Sequence, residues 1–201
     1  MNCDLIAPHY WWIERLGMGR ALERRRRCFL PEIEQARRAL VLGDGDGRFL
    51  RELLRRNPVV CADYVDLSGR MLELARGKAG SKRVNYQRAD ALTAQFAIEE
   101  YDLIATHFFF DCFGPSELET LIARVAGAAK PGAQWIVSEF RADNIPARLL
   151  VSALYLFFGI TTGLKTRKLV DHRPSMQARG FRLIKATHSR GALVVSELWE
   201  R

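Results

Sequence analysis

"RRALVLGDGDGRFLREL", residues 37–53, decides the fold. An apolar run at 39–42 leads into three glycines alternating with two aspartates (Gly43, Asp44, Gly45, Asp46, Gly47), and then into a stretch with helical spacing. A short apolar run closed by glycine reads as a buried strand. Glycine at a strand end permits positive φ and, lacking a β-carbon, lets a ligand approach the main chain. The dinucleotide-binding spacing G-x-G-x-x-G would need a glycine at 48, where this chain has Arg48, so no pyrophosphate cradle is written here. Asp44 and Asp46 oppose a phosphate and suit a cationic ligand.

Outward from this loop, strand and helix patterns alternate. A helical segment at 10–28 precedes the strand at 38–42. A helix at 48–56 and a strand at 58–66 follow, then a helix at 69–76 with Ser68 as its N-cap and Gly77 as its stop. Strands at 83–88 and 102–108, a helix at 116–128 and a strand at 134–140 come next. A strongly apolar helical segment at 145–160 and a helix at 171–179, bounded by Asp171 and Gly180, lead to strands at 181–188 and 192–199. Alternation of this kind builds a parallel sheet with helices on both faces. The last two strands, joined by a short glycine turn, must pair antiparallel. The expected fold is therefore α/β: a doubly wound, mostly parallel seven-stranded sheet that ends in an antiparallel hairpin, with an N-terminal helical segment.

With 201 residues, 48% hydrophobic and 27% charged, the chain reads as one soluble domain. It divides into a helical cap at 1–36, a ligand-binding core at 37–140, and a lid helix with the hairpin at 141–201. The start "MNCDLIAPHYWW" has no basic flank followed by an apolar stretch, so no signal peptide is expected. The longest apolar run, 149–160, is too short to span a bilayer. Cys3, Cys28, Cys61 and Cys112 form no C-x-x-C pair, which favours reduced thiols in a cytoplasm over a zinc site. The net charge of +8 concentrates at 20–56 (11 Arg against 6 acids) and at 161–190 (8 Lys/Arg against 1 Asp). These are solvated arginine-rich surfaces or docking faces for an anionic partner.

Two more acids sit at strand ends. Asp66 closes "YVDLS" nineteen residues after Gly47, where a carboxylate can accept both hydroxyls of a ribose. Asp90, in "QRADAL", closes the third strand, where an adenine amino group could donate to it. An acid for ribose, an acid for adenine and no phosphate pocket describe a nucleoside without phosphates. S-adenosylmethionine, adenosine joined to a sulfonium, fits.

At this point the chain resembles the class I, Rossmann-like S-adenosylmethionine-dependent methyltransferases. The blocks that carry the resemblance are "ALVLGDGDGRF", "VDLSGRMLELAR", "QRADAL", "YDLIATHFFFDCF" and "AAKPGAQWIVSEF", in family order over about 40–140. The resemblance implies that Gly43, Gly45 and Gly47 pass under the cofactor and that Asp66 binds its ribose. It places Leu67 and Met71 beside the adenine, Asp90 and Ala91 at the adenine edge, and Thr106 and His107 beside the methionine part. Family members usually carry an acid two residues before the first glycine. Val41 stands there, and Asp44 or Asp46 is expected to take over its role. The N-terminal "IAPHYWW" is similar to the A-x-x-Y-D start of methyltransferases related to quinone biosynthesis, with Trp11 in place of the aspartate, which implies that Tyr10 closes over the cofactor.

The segment after the fourth strand bears on the acceptor. Enzymes that methylate base amino groups carry Asn/Asp-Pro-Pro-aromatic there, and this chain has His107-Phe108-Phe109-Phe110. Three phenylalanines and the apolar 145–160 segment favour a small, partly apolar acceptor, or are simply core. Sulfonium is an activated donor, so alignment and water exclusion supply much of the rate. A general base is needed only for a protonated acceptor, and His107, with Asp111 to orient it or to touch substrate, is the candidate. His107 otherwise packs beside the cofactor. His9, His172 and His188 are expected at the surface or in turns. Two other readings stay open: methylation of RNA or protein through the basic 161–190 segment, and a non-catalytic S-adenosylmethionine-binding protein.

Overall fold

Ala39, Leu40, Val41 and Leu42 are all fully buried, as a strand must be when both faces of its sheet are covered. In the computed structural model, which describes residues 21–80, 82–141, 149, 152, 169–189 and 193–201, this strand is β1 (Arg38–Leu42) and lies inside the sheet. The other strands are β2 (Cys61–Asp66), β3 (Val84–Arg88), β4 (Tyr101–His107), β5 (Ala129–Phe140), β6 (Arg182–His188) and β7 (Val194–Glu200). Their order is β3-β2-β1-β4-β5-β7-β6. The first five are parallel, and β7 runs antiparallel to both β5 and β6. The expected seven-stranded sheet with a closing hairpin is what the chain forms. Strand order reverses between β1 and β4, where an open α/β sheet offers a crevice at its carboxyl edge.

Five helices are described: α1 (Ala21–Arg26), α2 (Arg48–Arg56), α3 (Gly69–Ala79), α4 (Pro115–Ala128) and α5 (Arg173–Ala178). One core layer joins Ala39, Val41, Leu103, Ala105 and Ile136 of the sheet to Phe49, Leu50 and Leu53 of α2 and Ala75 of α3. The other joins Leu40, Leu42, Ile104, Trp135 and Trp199 to Leu118, Leu121, Ile122 and Val125 of α4 and Met176 of α5. Helices cover both faces of the sheet as expected, and successive side chains along β1, β4 and β5 fall in opposite layers, which divides those at the carboxyl edge between two sides.

Several boundaries differ from the sequence reading. β2 starts at Cys61 rather than 58, because Asn57 Oδ1 accepts from the amides of Val59 and Val60 and holds that stretch as a turn. α3 runs past Gly77 to Ala79 and ends on Gly80, whose φ of +78° suits only glycine there. Ser68 is its N-cap as expected, accepting from Met71 N at 3.1 Å. β5 begins at Ala129, which pairs with Tyr101 ahead of a register shift, and so takes in Pro131 and Gly132. Tyr10, the lid segment at 145–160 except for positions 149 and 152, and most of the helical segment at 10–28 lie outside the described residues. Among the described residues, no helix is long and apolar enough to cross a membrane.

Candidate functional site

The loop after β1 is built from three left-handed glycines, Gly43 (φ +63°), Gly45 (φ +66°) and Gly47 (φ +77°). Two of them are glycine for an internal reason. A Cβ on Gly43 would lie 2.2 Å from the Phe109 ring, and one on Gly47 would lie 2.7 Å from Ala75 Cβ. The space that the sequence reading gave to a ligand at these two positions is filled by Phe109 and by α3. Tyr64 holds the middle of the loop, its buried hydroxyl donating to Gly45 O at 2.6 Å.

The two loop aspartates are also committed inward. Asp44 Oδ2 accepts from the amides of Phe49 and Leu50 at 3.1 Å each, so it takes the N-terminus of α2. Its Oδ1 faces the buried Arg26 at 3.9 Å. Burial lifts the Asp44 carboxyl to about 7, against the pull of Arg26. Asp46 accepts from Arg48 Nε at 2.8 Å and from Lys78 Nζ. Burial opposes its ionised form, but Arg48 and Lys78 outweigh that and hold its pKa low. Val41 is buried in the layer below α2. Neither Asp44 nor Asp46 takes the place of an acid there, because each already has its cation within the fold.

At the neighbouring strand end, Asp66 is half-buried and its Oδ1 accepts from Ser68 N at 2.8 Å. The β1 loop is tied to this strand through Gly43 N, which donates to Val65 O at 3.1 Å. Leu67 is exposed and Met71 buried. Asp90 is exposed and nucleates the turn that follows β3, with Oδ1 accepting from Leu92 N at 2.9 Å, and Ala91 is buried beside it. Asp66, Leu67, Asp90 and Ala91 thus fall on the carboxyl end of β2 and in the turns after β2 and β3, with Met71 in the first turn of α3. One edge of the sheet gathers them.

The end of β4 is arranged differently from expectation. Thr106 is buried and its hydroxyl is used internally, accepting from Trp135 Nε1 at 3.0 Å. His107 follows Leu103 and Ala105 onto the α2 side, where its ring meets Phe49 edge-on with centroids 4.5 Å apart. Among the described residues neither of its ring nitrogens has a hydrogen-bond partner. Burial, helped by the Arg26 charge, pushes its pKa well below the usual histidine value. Asp111 does not orient it. That side chain lies on the far side of the sheet, in a cavity of about 270 Å³ that Phe110, Glu139, Phe140 and His172 also line. The chain turns between the two sides at Phe108, a non-glycine residue with φ +55° whose amide donates to Ser138 O at 2.7 Å.

Residues 39–132 match the family model described as "Methyltransferase domain". A demethylmenaquinone methyltransferase of Deinococcus radiodurans is 30% identical over 158 residues, 76% of this chain and 63% of that protein. A SAM-dependent methyltransferase from Archaeoglobus fulgidus superposes with a TM-score of 0.73 at 15% identity, over 96% of this chain and 100% of that one. The N-methyltransferase NodS from Bradyrhizobium japonicum WM9, in complex with S-adenosyl-L-homocysteine, gives 0.68 at 14% identity, covering 90% and 87%. The chain carries a methyltransferase domain over residues 39–132, and its fold is that of the class I, Rossmann-like methyltransferases. It spans 63% of the length of the curated relative it matches along most of its sequence.

Within this methyltransferase fold, two residues that sequence reasoning passed over stand out. Glu139, at the end of β5, is buried, and its Oε1 accepts from the amides of Phe109 and Phe110 at 3.0 and 2.9 Å. Burial, and then the nearby Asp111 charge, raise its pKa well above the ordinary glutamate value. Burial likewise brings Asp111 to about 6. His172, expected at the surface, is buried, and its Nε2 lies 2.8 Å from Glu197 Oε2. Glu197 also accepts from Arg173 and from Trp199 Nε1. His188 is exposed, as expected. For Glu139 the available signal was an acid alternating with apolar residues in "WIVSEF", at the carboxyl edge where ligands bind. Among the described residues there is no group of three or more metal-ligating side chains.

Proposed function

We propose that the chain transfers the methyl group of S-adenosylmethionine to a small, partly apolar acceptor. The observation that carries this reading is the crevice where strand order reverses. There a left-handed glycine loop on β1 adjoins a carboxylate, Asp66, at the end of β2. The residues present suit the nucleoside. Asp66 is the acceptor for its ribose hydroxyls, Leu67 and Met71 flank its adenine, and Asp90 with Ala91 reads the adenine edge. Gly45, held by Tyr64, is the loop glycine left to approach its methionine end. The bound donor supplies an already activated methyl group. The chain's own contribution is to orient the acceptor in line and to exclude water, for which Phe109, Phe110 and Phe140 provide the apolar surface.

His107 has no role as a base in this reading. Its ring packs on Phe49 on the α2 side of the sheet, it does not line the Phe110–Glu139 cavity, and burial lowers its pKa well below the usual histidine value, which makes it a weak base. The decisive experiment is calorimetric titration with S-adenosylmethionine, S-adenosylhomocysteine and ATP. Binding of the first two and not of ATP is expected. ATP binding with S-adenosylmethionine excluded would overturn the assignment.

A further inference from the structure

The cavity at the carboxyl end of β5 combines an apolar wall that includes Phe110 and Phe140 with three acids, Asp111, Glu139 and Asp171, and with Arg141 and His172. Two independent features mark it as a binding site rather than a packing defect. Glu139 is 5% exposed, and its Oε2 finds no hydrogen-bond donor among the described residues. A buried carboxyl oxygen left in this state is costly unless a ligand completes it. The cavity also adjoins the donor crevice through one residue. The amide of Phe109 is bonded to Glu139 Oε1, and its ring rests on Gly43 of the cofactor loop.

We infer that this cavity is the acceptor's pocket, and that Asp111 and Glu139, acting as one carboxyl pair, bind the acceptor's hydroxyl or amine and take its proton. The inference rests on the methyltransferase reading above and adds the class of acceptor and the base. Burial and the neighbouring Asp111 charge both oppose ionisation of Glu139, so Glu139 keeps its proton while Asp111, half-buried, ionises first. A base poised there matches an acceptor that must lose a proton.

The step balances with the methyl donor as a substrate consumed one for one. The acceptor's oxygen or nitrogen forms a bond to the methyl carbon. The carbon–sulfur bond breaks, leaving its electron pair on sulfur as a neutral thioether. The proton released by the acceptor goes to the free carboxylate of the pair. The aromatic wall beside these polar groups suits a flat or compact apolar body that carries an O–H or N–H group.

The test uses the full chain with labelled carboxyl carbons and amide nitrogens, and phenol and benzylamine as probes. In the wild type, Glu139 and Asp111 titrate in two coupled steps, and Asp111→Asn lowers the Glu139 midpoint by at least one pH unit. Phenol or benzylamine shifts the amides of Phe109 and Phe110, and the affinity falls at least tenfold in Glu139→Gln. Should Glu139→Gln melt more than ten degrees early, Asp111→Asn replaces it in the binding comparison. The inference is overturned if neither probe moves those amides, or if binding survives both substitutions unchanged. Calorimetry with S-adenosylmethionine on the same samples separates the two readings. A wild type that binds it while ignoring both probes sinks only the pocket, and one that fails to bind it sinks the methyltransferase reading.

Discussion

Gly47 lies so close to Ala75 that a β-carbon on the glycine would stand 2.7 Å from the alanine Cβ and 2.8 Å from its Cα. The helix that follows the β1 loop is thereby seated directly on α3. Gly47→Ala has to relieve that overlap while holding φ near +77°, which combines left-handed strain with overpacking. A loss of about 2–4 kcal/mol is expected in urea unfolding. A loss below about 0.5 kcal/mol would show that the two helices separate easily.

Thr106 distinguishes a core role from a cofactor role. Thr106→Val leaves the buried Trp135 N–H without its acceptor, at a cost of roughly 1–3 kcal/mol. Affinity for S-adenosylmethionine should stay within twofold, because the hydroxyl is turned into the core. A tenfold fall in that affinity, measured by calorimetry, would return Thr106 to the site.

Asp66 should behave in the opposite way. Asp66→Ala removes the only expected acceptor for the ribose hydroxyls and weakens S-adenosylmethionine binding by about 2 kcal/mol or more. It also loses the bond to Ser68 N, so a melting curve accompanies the titration. Unchanged affinity in a folded variant would move the nucleoside elsewhere.

Two buried carboxyls predict opposite responses to pH. Glu197 is held at about 2, because His172 and Arg173 outweigh the effect of burial. A carboxyl with a depressed native pKa stabilises above its unfolded value, so this contribution is full above about pH 4.5 and is lost as pH falls towards 2. The amount at stake is on the order of 3 kcal/mol. Asp44, raised to about 7 by burial, does the reverse. Its proton-linked contribution is full below about pH 4 and fades as pH rises through 7. Relative to wild type, Glu197→Gln should therefore gain stability on acidification and Asp44→Asn on alkalinisation, as read by chemical unfolding at pH 3, 5 and 8. Parallel pH curves for all three proteins would contradict both assignments.

What the sequence made legible was the sheet, and the reason is local. Apolar runs such as 39–42 and 103–105 locate buried strands without knowledge of any partner. The glycine turn between the last strands, read with them, fixes the antiparallel ending. The strand-end acids Asp66 and Asp90 were equally readable, because position along a strand determines which edge a residue reaches. Pairing across the fold escaped. Asp44 and Asp46 looked available to a ligand until Arg26 and Lys78, 18 and 32 positions away in the chain, arrived from other helices. His172 looked like a surface residue until β7 brought Glu197 to it. His107 and Asp111 looked like partners at four residues' spacing, but the left-handed step at Phe108 sends them to opposite sides of the sheet.

That Asp44 occupies the start of α2 has a consequence for life among competing metabolites. Adenosine di- and triphosphate share the base and sugar of S-adenosylmethionine, so contacts to adenine and ribose alone do not separate them. Here Asp44 Oδ2 already accepts from the amides of Phe49 and Leu50, so the helix end that would otherwise receive a phosphoryl oxygen is filled from within.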